Sequence, residues 1–398
     1  MKTTIQENLA NNPRYILPIK YPNNSNEFFH VLRQRVYAYF DETGQSRYAN
    51  SKMYAQTLLM LFIWAGFYGL MLSDLFQNWS FVLLQCGFHF FSFALWVQVA
   101  HDAHHNAFTP NKRFNNFIFF FGGLLGVSSY VMDYNHVRAH HSAVNVPHHD
   151  VSIDSFSVLR FHPDVEYKWF HRYQAFYIWV LYGLATLFKL VLFDYFTLMR
   201  KSIGAHQIER HPIGQIIKLT LIKMACIFYT VVLPCLILHT PIHIILIGFV
   251  IAHFVSGIGL SVIFQVTHLC DYSMFTNVNK ATNKMDNTFA IHVLENTSSF
   301  ATDSWFVSWI GGGLNCHTIH HLFPEICQVH FMPLSKILRT TCREYGVPFK
   351  EYRSTWDALR SHVRVLHKLG KKGPYQPLPF KDWPLHYKSK TMESAAVA

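Results

Sequence analysis

The sequence predicts an all-α integral membrane protein: four transmembrane helices in two hairpins, with a cytosolic helical cap holding a histidine-rich di-metal site. Three observations carry this expectation. Only 14% of the 398 residues are charged and 51% are apolar, whereas a soluble domain carries about 25% charged residues. Four apolar runs approach the roughly 20 residues that a spanning helix needs. The 26 histidines gather in tight clusters beside those runs and not in one tract, which suggests metal ligation. The 36 Phe and 20 Tyr fit a lipid-facing surface with aromatic belts.

Taken in order, residues 1–52 are polar and mixed, with a helix-like stretch near 28–40, and form a cytosolic N-terminal segment. Residues 53–100 form the first hairpin, with spans 53–72 and 81–100 joined by the polar turn 73–78. Residues 101–215 are cytosolic or interfacial. The second hairpin, 216–267, has spans 219–238 and 242–267 around a tight turn at Pro241. Residues 268–370 make the cap, and the Pro- and Lys-rich 371–398 is expected to be a poorly ordered tail. Two shorter runs are expected to lie in the interface or to re-enter without crossing. These are 117–132, which contains Gly122, Gly123 and Gly126, and 176–193, which carries Lys189.

Charge sets the topology. The turn 73–78 has Asp74 and no Lys or Arg, and LHTPIH has none either. The segments before the first span, between the hairpins and after the fourth span are rich in both, among them Arg47, Lys112, Arg138 and Arg210. The positive-inside rule therefore puts both termini and the middle loop in the cytosol. The formal charge of +11 suits a face against anionic lipid and an acidic redox partner. No basic run is long enough to argue for nucleic acid. The seven cysteines include no CxxC pair and read as reduced structural thiols. The first twelve residues lack an apolar h-region, so no cleaved signal peptide is expected.

Three histidine clusters carry the chemistry. In HDAHH, at the end of the second span, His101 and His105 are four apart and share one helical face, while His104 points away. In HVRAHH, His136 and His140 share a face, and His141 lies about 100° round the helix from its neighbour, so the adjacent pair can reach two different ions. HTIHH holds His317, His320 and His321 behind the glycine run 311–313. His268 emerges from the fourth span on the same side. A lone histidine pair at helical spacing is ordinarily structural. So many imidazoles in one fold are costly unless a metal uses their lone pairs. One four-coordinate zinc would leave most of them idle, and two metals with four or five nitrogen ligands each would use the set. Imidazole suits iron, copper, zinc or nickel.

HDAHH, HVRAHH and GGGLNCHTIHHLFP, in that order and spacing, resemble the three boxes of the membrane fatty acid desaturases. HRYQ at 171–174, QVTH at 265–268 and FPEICQVHFMPLSKIL extend the resemblance over roughly 28–370. It is nearest to the acyl-CoA and acyl-lipid group that includes the front-end enzymes and their bacterial relatives. The resemblance implies two iron ions, O2 and electrons from an external donor, acting to remove two hydrogens from adjacent methylenes of an acyl lipid or acyl-CoA. It implies His101, His105, His136, His140, His141, His317, His320 and His321 as ligands, with His268 as a ninth. Two features depart from the front-end pattern. The third box begins with His317 where Gln is usual, and no haem-binding HPGG occurs. The expected electron donor is therefore a separate ferredoxin or cytochrome b5.

Several polar residues are expected to serve around the ligands. Asp102, Asn145, Asp150, Asp154 and Asn315 are candidates to orient imidazoles through their other nitrogen, and His292 to line the site. His148 and His149 read as surface groups. His89 and His253, alone within spans, read as neutral imidazoles bonded to a neighbouring helix. The nearest rival function is a membrane di-iron hydroxylase or ketolase acting on a hydrocarbon or carotenoid. A metal transporter would instead need ligands near the bilayer midplane, where the span interiors hold only isolated polar groups.

Overall fold

The computed structural model describes residues 19–22, 27–154, 156–279 and 282–379. The first twelve residues, where no cleaved signal peptide is expected, and most of the expected tail lie outside them. The segment 371–379 is not loose: Leu378 N–H donates to the Asp271 carbonyl at 2.8 Å and Tyr375 Oη to the Ser273 carbonyl at 3.1 Å. The expected tail therefore begins later than residue 371, because these bonds tie its first residues to the loop after the last long helix.

Among the described residues, five helices are long and apolar enough to cross a membrane. They are α2 (Ser51–Leu72), α3 (Trp79–His104), α6 (Trp169–Met199), α7 (Ile213–Ile237) and α8 (Ile242–His268). Before them comes α1 (Glu27–Thr43). Between them lie α4 (Lys112–Gly123) and α5 (129–140), whose second part Asp133–His140 is a π-helix. The chain closes with α9 (Phe289–Asn296), α10 (Trp305–Ile310), α11 (His317–Leu322), α12 (Phe331–Glu344) and α13 (Thr355–Leu369). Strand pairing is minor. The antiparallel pair is Ser202–Ile203 with His206–Gln207, and the parallel pair is Ser299–Phe300 with Glu351–Tyr352.

The four predicted spans coincide with α2, α3, α7 and α8, the third running one residue past the end of α7 at Ile237. The run 117–132 is broken at Gly126, where φ is +85°, so it does not form one re-entrant helix. The run 176–193 is extended on both sides into the 31-residue α6. A π-helical stretch, Lys189–Phe193, lets α6 continue past its charged residues. There Lys223 of α7 donates to the carbonyls of Lys189 and Leu190 at 2.6 and 2.7 Å and pairs with Asp194 at 3.1 Å. Backbone groups that a π-bulge frees are thus satisfied by a buried ammonium. Both ends of α6 return to the loops around the histidine clusters. At its start His171 Nε2 donates to the Ser157 carbonyl at 3.0 Å. At its end Asn135, next to His136, reaches Thr197 at 3.4 Å.

The long helices pack through specific polar and aromatic contacts. Trp64 of α2 donates to Ser92 of α3 at 2.8 Å, and Thr186 of α6 donates to the His253 carbonyl of α8 at 2.9 Å. The shorter helices form a core of their own. Phe28, Leu32, Val36 and Phe40 repeat every four residues down one face of α1 and meet Leu334, Leu338 and Cys342 of α12. Ile319 and Leu322 of α11 join this core, which fixes the helix that carries the third histidine cluster. All seven cysteines are free, as expected.

The approach of α11 to α3 depends on glycine. Gly312 sits at φ +58°, and a Cβ there would meet Val97 Cγ1 at 2.6 Å and the Val97 backbone at 3.0 Å. Gly312→Ala is expected to destabilise the protein by about 1–3 kcal/mol from backbone strain alone, with the clash adding to it. A thermal unfolding series in detergent checks this, and an unchanged midpoint would refute the requirement.

Candidate metal centre

Four elements deliver the imidazoles. The end of α3 carries His101 and leads into His105, α5 carries His136 and His140 with His141 just beyond, α8 ends at His268, and α11 carries His317, His320 and His321. The structure brings together all nine histidines that the sequence singled out. Two sets form. His101, His105, His136 and His320 have ligand atoms within 4.8 Å of one another, and so do His140, His268, His317 and His321. His141 stands between them. Its Nε2 is 3.1 Å from His136 and from His320, and its ring stacks on His321 at 4.2 Å.

Box geometry explains the split. His101 and His105, four apart, enter the same set. His320 and His321, adjacent, enter different sets. In α5 the expectation of a shared face for His136 and His140 fails. The π-helix bonds His141 N–H to the His136 carbonyl at 2.9 Å, an i to i+5 pattern. This wider turn aligns His136 with His141 and sends His140 to the other set. His104 stays outside both, packed on Phe119 at 4.6 Å.

The donor chemistry fits cations. Nε2 of His136 faces Nε2 of His101 at 3.0 Å and of His105 and His141 at 3.1 Å. One ring nitrogen holds at most one proton, so it cannot hydrogen-bond three others at once. In the second set, Nε2 of His268 faces those of His140 at 3.1 Å and His317 at 2.6 Å. A positive ion drawing on converging lone pairs removes the conflict. Burial, and then the charge of neighbouring imidazoles, hold His105, His136, His141, His317, His320 and His321 well below the usual 6.5. These rings are therefore neutral at physiological pH, the form in which imidazole ligates.

Asp150 does what the sequence assigned to it. Its carboxylate accepts from His140 Nδ1 at 3.0 Å through both oxygens. It also accepts from Asn145 N–H at 2.8 Å and from Ser152 N–H and Oγ at 2.9 and 2.6 Å. Burial alone would raise its pKa, but its electrostatic and hydrogen-bond interaction with His140 and the bonds from Ser152 and Asn145 hold it below the usual carboxylate value. Asn145 donates to the carbonyls of His268 at 2.7 Å and Asn296 at 3.0 Å, so one short loop serves both α5 and α8. The other candidates act elsewhere. Asp102 accepts from Gln328 N–H at 3.0 Å and ties the first box to the segment after the third. Asn315 donates to the Phe300 and Ala301 carbonyls, both at 3.2 Å, and Asp154 faces His162 at 3.8 Å. His292 does not line the site: its Nε2 donates to the Val144 carbonyl at 2.9 Å and braces the loop after α5. Sequence reasoning missed Ser152. Its place two residues after Asp150 was the available signal.

Fold and site together define a helical membrane protein with imidazole sets suited to two metal ions. The chain belongs to the fatty acid desaturase family, whose model matches residues 77–353. It is 33% identical over 359 residues to an sn-1 linoleoyl-lipid 6-desaturase of Synechocystis sp., covering 86% of this chain and 96% of that protein. It is 30% identical to an acyl-lipid (8-3)-desaturase of Physcomitrium patens, covering 88% and 74%. A second sn-1 linoleoyl-lipid 6-desaturase, from Arthrospira platensis, is 27% identical, covering 85% and 91%. The protein is an oxidoreductase, a fatty acyl desaturase.

Two outcomes follow from the geometry. The depressed imidazole pKa values mean that the unfolded chain takes up protons first as pH falls through 6.5. Stability and metal retention are thus expected to be full above that pH and to fall below it. Metal analysis after dialysis across pH 5–8 measures this, and flat retention would contradict it. Asp150→Asn removes the charge behind His140 and is expected to lower metal affinity about 10- to 100-fold while the fold is kept, as competition with a chelator would show.

Proposed function

We propose that this chain places a double bond in an acyl chain of a membrane lipid, with two iron ions held by His101, His105, His136, His140, His141, His268, His317, His320 and His321. Molecular oxygen is the oxidant, and electrons arrive from a separate ferredoxin or cytochrome b5. The observation that carries this reading is the convergence of buried Nε2 atoms in two sets of four with His141 between them. An unactivated methylene offers neither an acidic proton nor a leaving group, and two redox metals supply the oxidising power it requires. Two hydrogens leave adjacent methylenes, and O2 with two electrons and two protons becomes two waters.

The chain's own residues hold and shield the site. Asp150 keeps the proton of His140 on Nδ1, so Nε2 presents its lone pair. Trp96 and Phe264 stand 6.1 and 6.4 Å from the His101 ring and belong to an apolar cluster with Val97, Phe119 and Leu314. This wall excludes water from the side that faces the long helices and suits a hydrocarbon chain. The names of the Synechocystis and Physcomitrium relatives, a linoleoyl-lipid and an acyl-lipid desaturase, favour a lipid-esterified acyl chain over acyl-CoA.

In this reading α2, α3, α7 and α8 cross the bilayer, and α6 stays on one side without crossing. The meeting of His101 and His268, at the ends of α3 and α8, supports it. A single further crossing between those ends would send them to opposite faces. The return of both ends of α6 to the histidine loops agrees. The basic loops put this face, both termini and the helical cap in the cytosol.

Expression in a host without polyunsaturated lipids, followed by mass spectrometry of separated glycerolipid and acyl-CoA pools, tests the function. The expected product lacks two hydrogens and appears first in the glycerolipids. A gain of oxygen would replace this reading with hydroxylation or ketone formation. Among the ligands, His105→Ala is expected to abolish activity and lower bound iron, whereas His104→Ala keeps most of both. Equal loss in the two would overturn the ligand set.

A further inference from the structure

A second imidazole pair lies inside the long-helix bundle, away from the metal centre. His89 of α3 and His253 of α8 are 4% and 2% exposed, with ring centroids 4.9 Å apart. His253 precedes His268 by fifteen positions on one helix, about 22 Å at 1.5 Å per residue. Phe88 and Phe249 wall the pair.

Hydrogen bonds fix the tautomer of each ring. His89 Nδ1 lies 3.0 Å from the Gln85 carbonyl oxygen. That oxygen can only accept, so Nδ1 carries the proton. Thr186 gives its single hydroxyl proton to the His253 carbonyl at 2.9 Å. Toward His253 Nδ1, at 3.1 Å, it can then only accept, so this Nδ1 is protonated as well. Both rings are left with a bare Nε2 lone pair, and neither Nε2 has a partner among the described residues. One turn before His89, the Gln85 amide is wholly buried and neither its oxygen nor its nitrogen is partnered. It packs where a side chain on Gly248 of α8 would sit. Ser256 Oγ, one turn beyond His253, is buried and unpartnered too.

Unsatisfied polar atoms are costly in hydrocarbon. A ligand for this cluster must give hydrogen or positive charge to two lone pairs. A metal cation would meet only neutral groups here, with no carboxylate among them, and would carry the full cost of charge inside the bilayer. One water molecule has two donors, one for each bare Nε2. We infer that the bundle binds an ordered water between His89 and His253, which donates to both Nε2 atoms. This water links α3 to α8 at mid-bundle. The far ends of those helices carry His101 and His268, one histidine from each of the two sets.

Solid-state NMR of the full chain, labelled with 15N-histidine and set in vesicles with deuterated acyl chains, tests the inference by transfer of magnetisation from water. Two unprotonated Nε2 resonances are expected to receive water magnetisation, one lost in His89→Asn and the other in His253→Asn. Absence of transfer to these nitrogens would overturn the site. Metal analysis of the unmutated chain needs no variant. Two ions per chain together with water transfer support the inference, whereas a third ion bound at these nitrogens overturns it in favour of a cation.

Discussion

Everything in this fold answers one electrostatic demand: eight buried imidazoles and the half-buried His105, turned toward one another, must share their lone pairs with something positive. One proton per nitrogen cannot satisfy three neighbours around His136. The chain meets the demand with rigid elements from four places in the sequence. Two are ends of long apolar helices, where His101 and His268 arrive with their helices already fixed by packing. The other two are short helices, α5 and α11, which have little surface of their own to bury and are held by their neighbours.

That division explains what was legible in the sequence. Four of the five long apolar helices could be read from length and hydropathy, and the face shared by His101 and His105 from α-helical spacing. The separation of His320 from His321 follows from the same 100° step. What could not be read was any place where the helix leaves its ordinary period. In α5 the π-helix moves His141 beneath His136 and carries His140 across to His268, 128 positions away. Nothing in DYNHVRAH announces that change; it is settled by what surrounds the segment. The same holds for α6, where Lys189 and Asp194 argue against a long apolar helix until Lys223, from another helix, satisfies them.

The polar residues behind the ligands show the limit of reading by type. Five Asp and Asn residues near the boxes looked equally able to orient imidazoles. Only Asp150 bonds one directly, because the turn after α5 folds its carboxylate under His140 and Asn145 N–H and Ser152 hold it there. Asn145 works one step further back, on the His268 carbonyl. Asp102 and Asn315 fasten backbone segments that carry boxes one and three. Each stabilises the site, but through the chain and not through a ring nitrogen.

The ligand set also constrains the chemistry. Neutral imidazoles bring no negative charge, so cations held by them keep nearly all of their own. Asp150, reached through His140, is the buried carboxylate bonded directly to a ring of either set. A carboxylate-rich site would stabilise the oxidised ions more and leave them weaker oxidants. An imidazole cage beside the Trp96 and Phe264 wall would leave ions bound there electron-poor, and the neighbouring space is apolar. Both conditions suit attack on a methylene that offers no polar handle, and both follow from placing histidines, not acids, where apolar helices leave the bilayer.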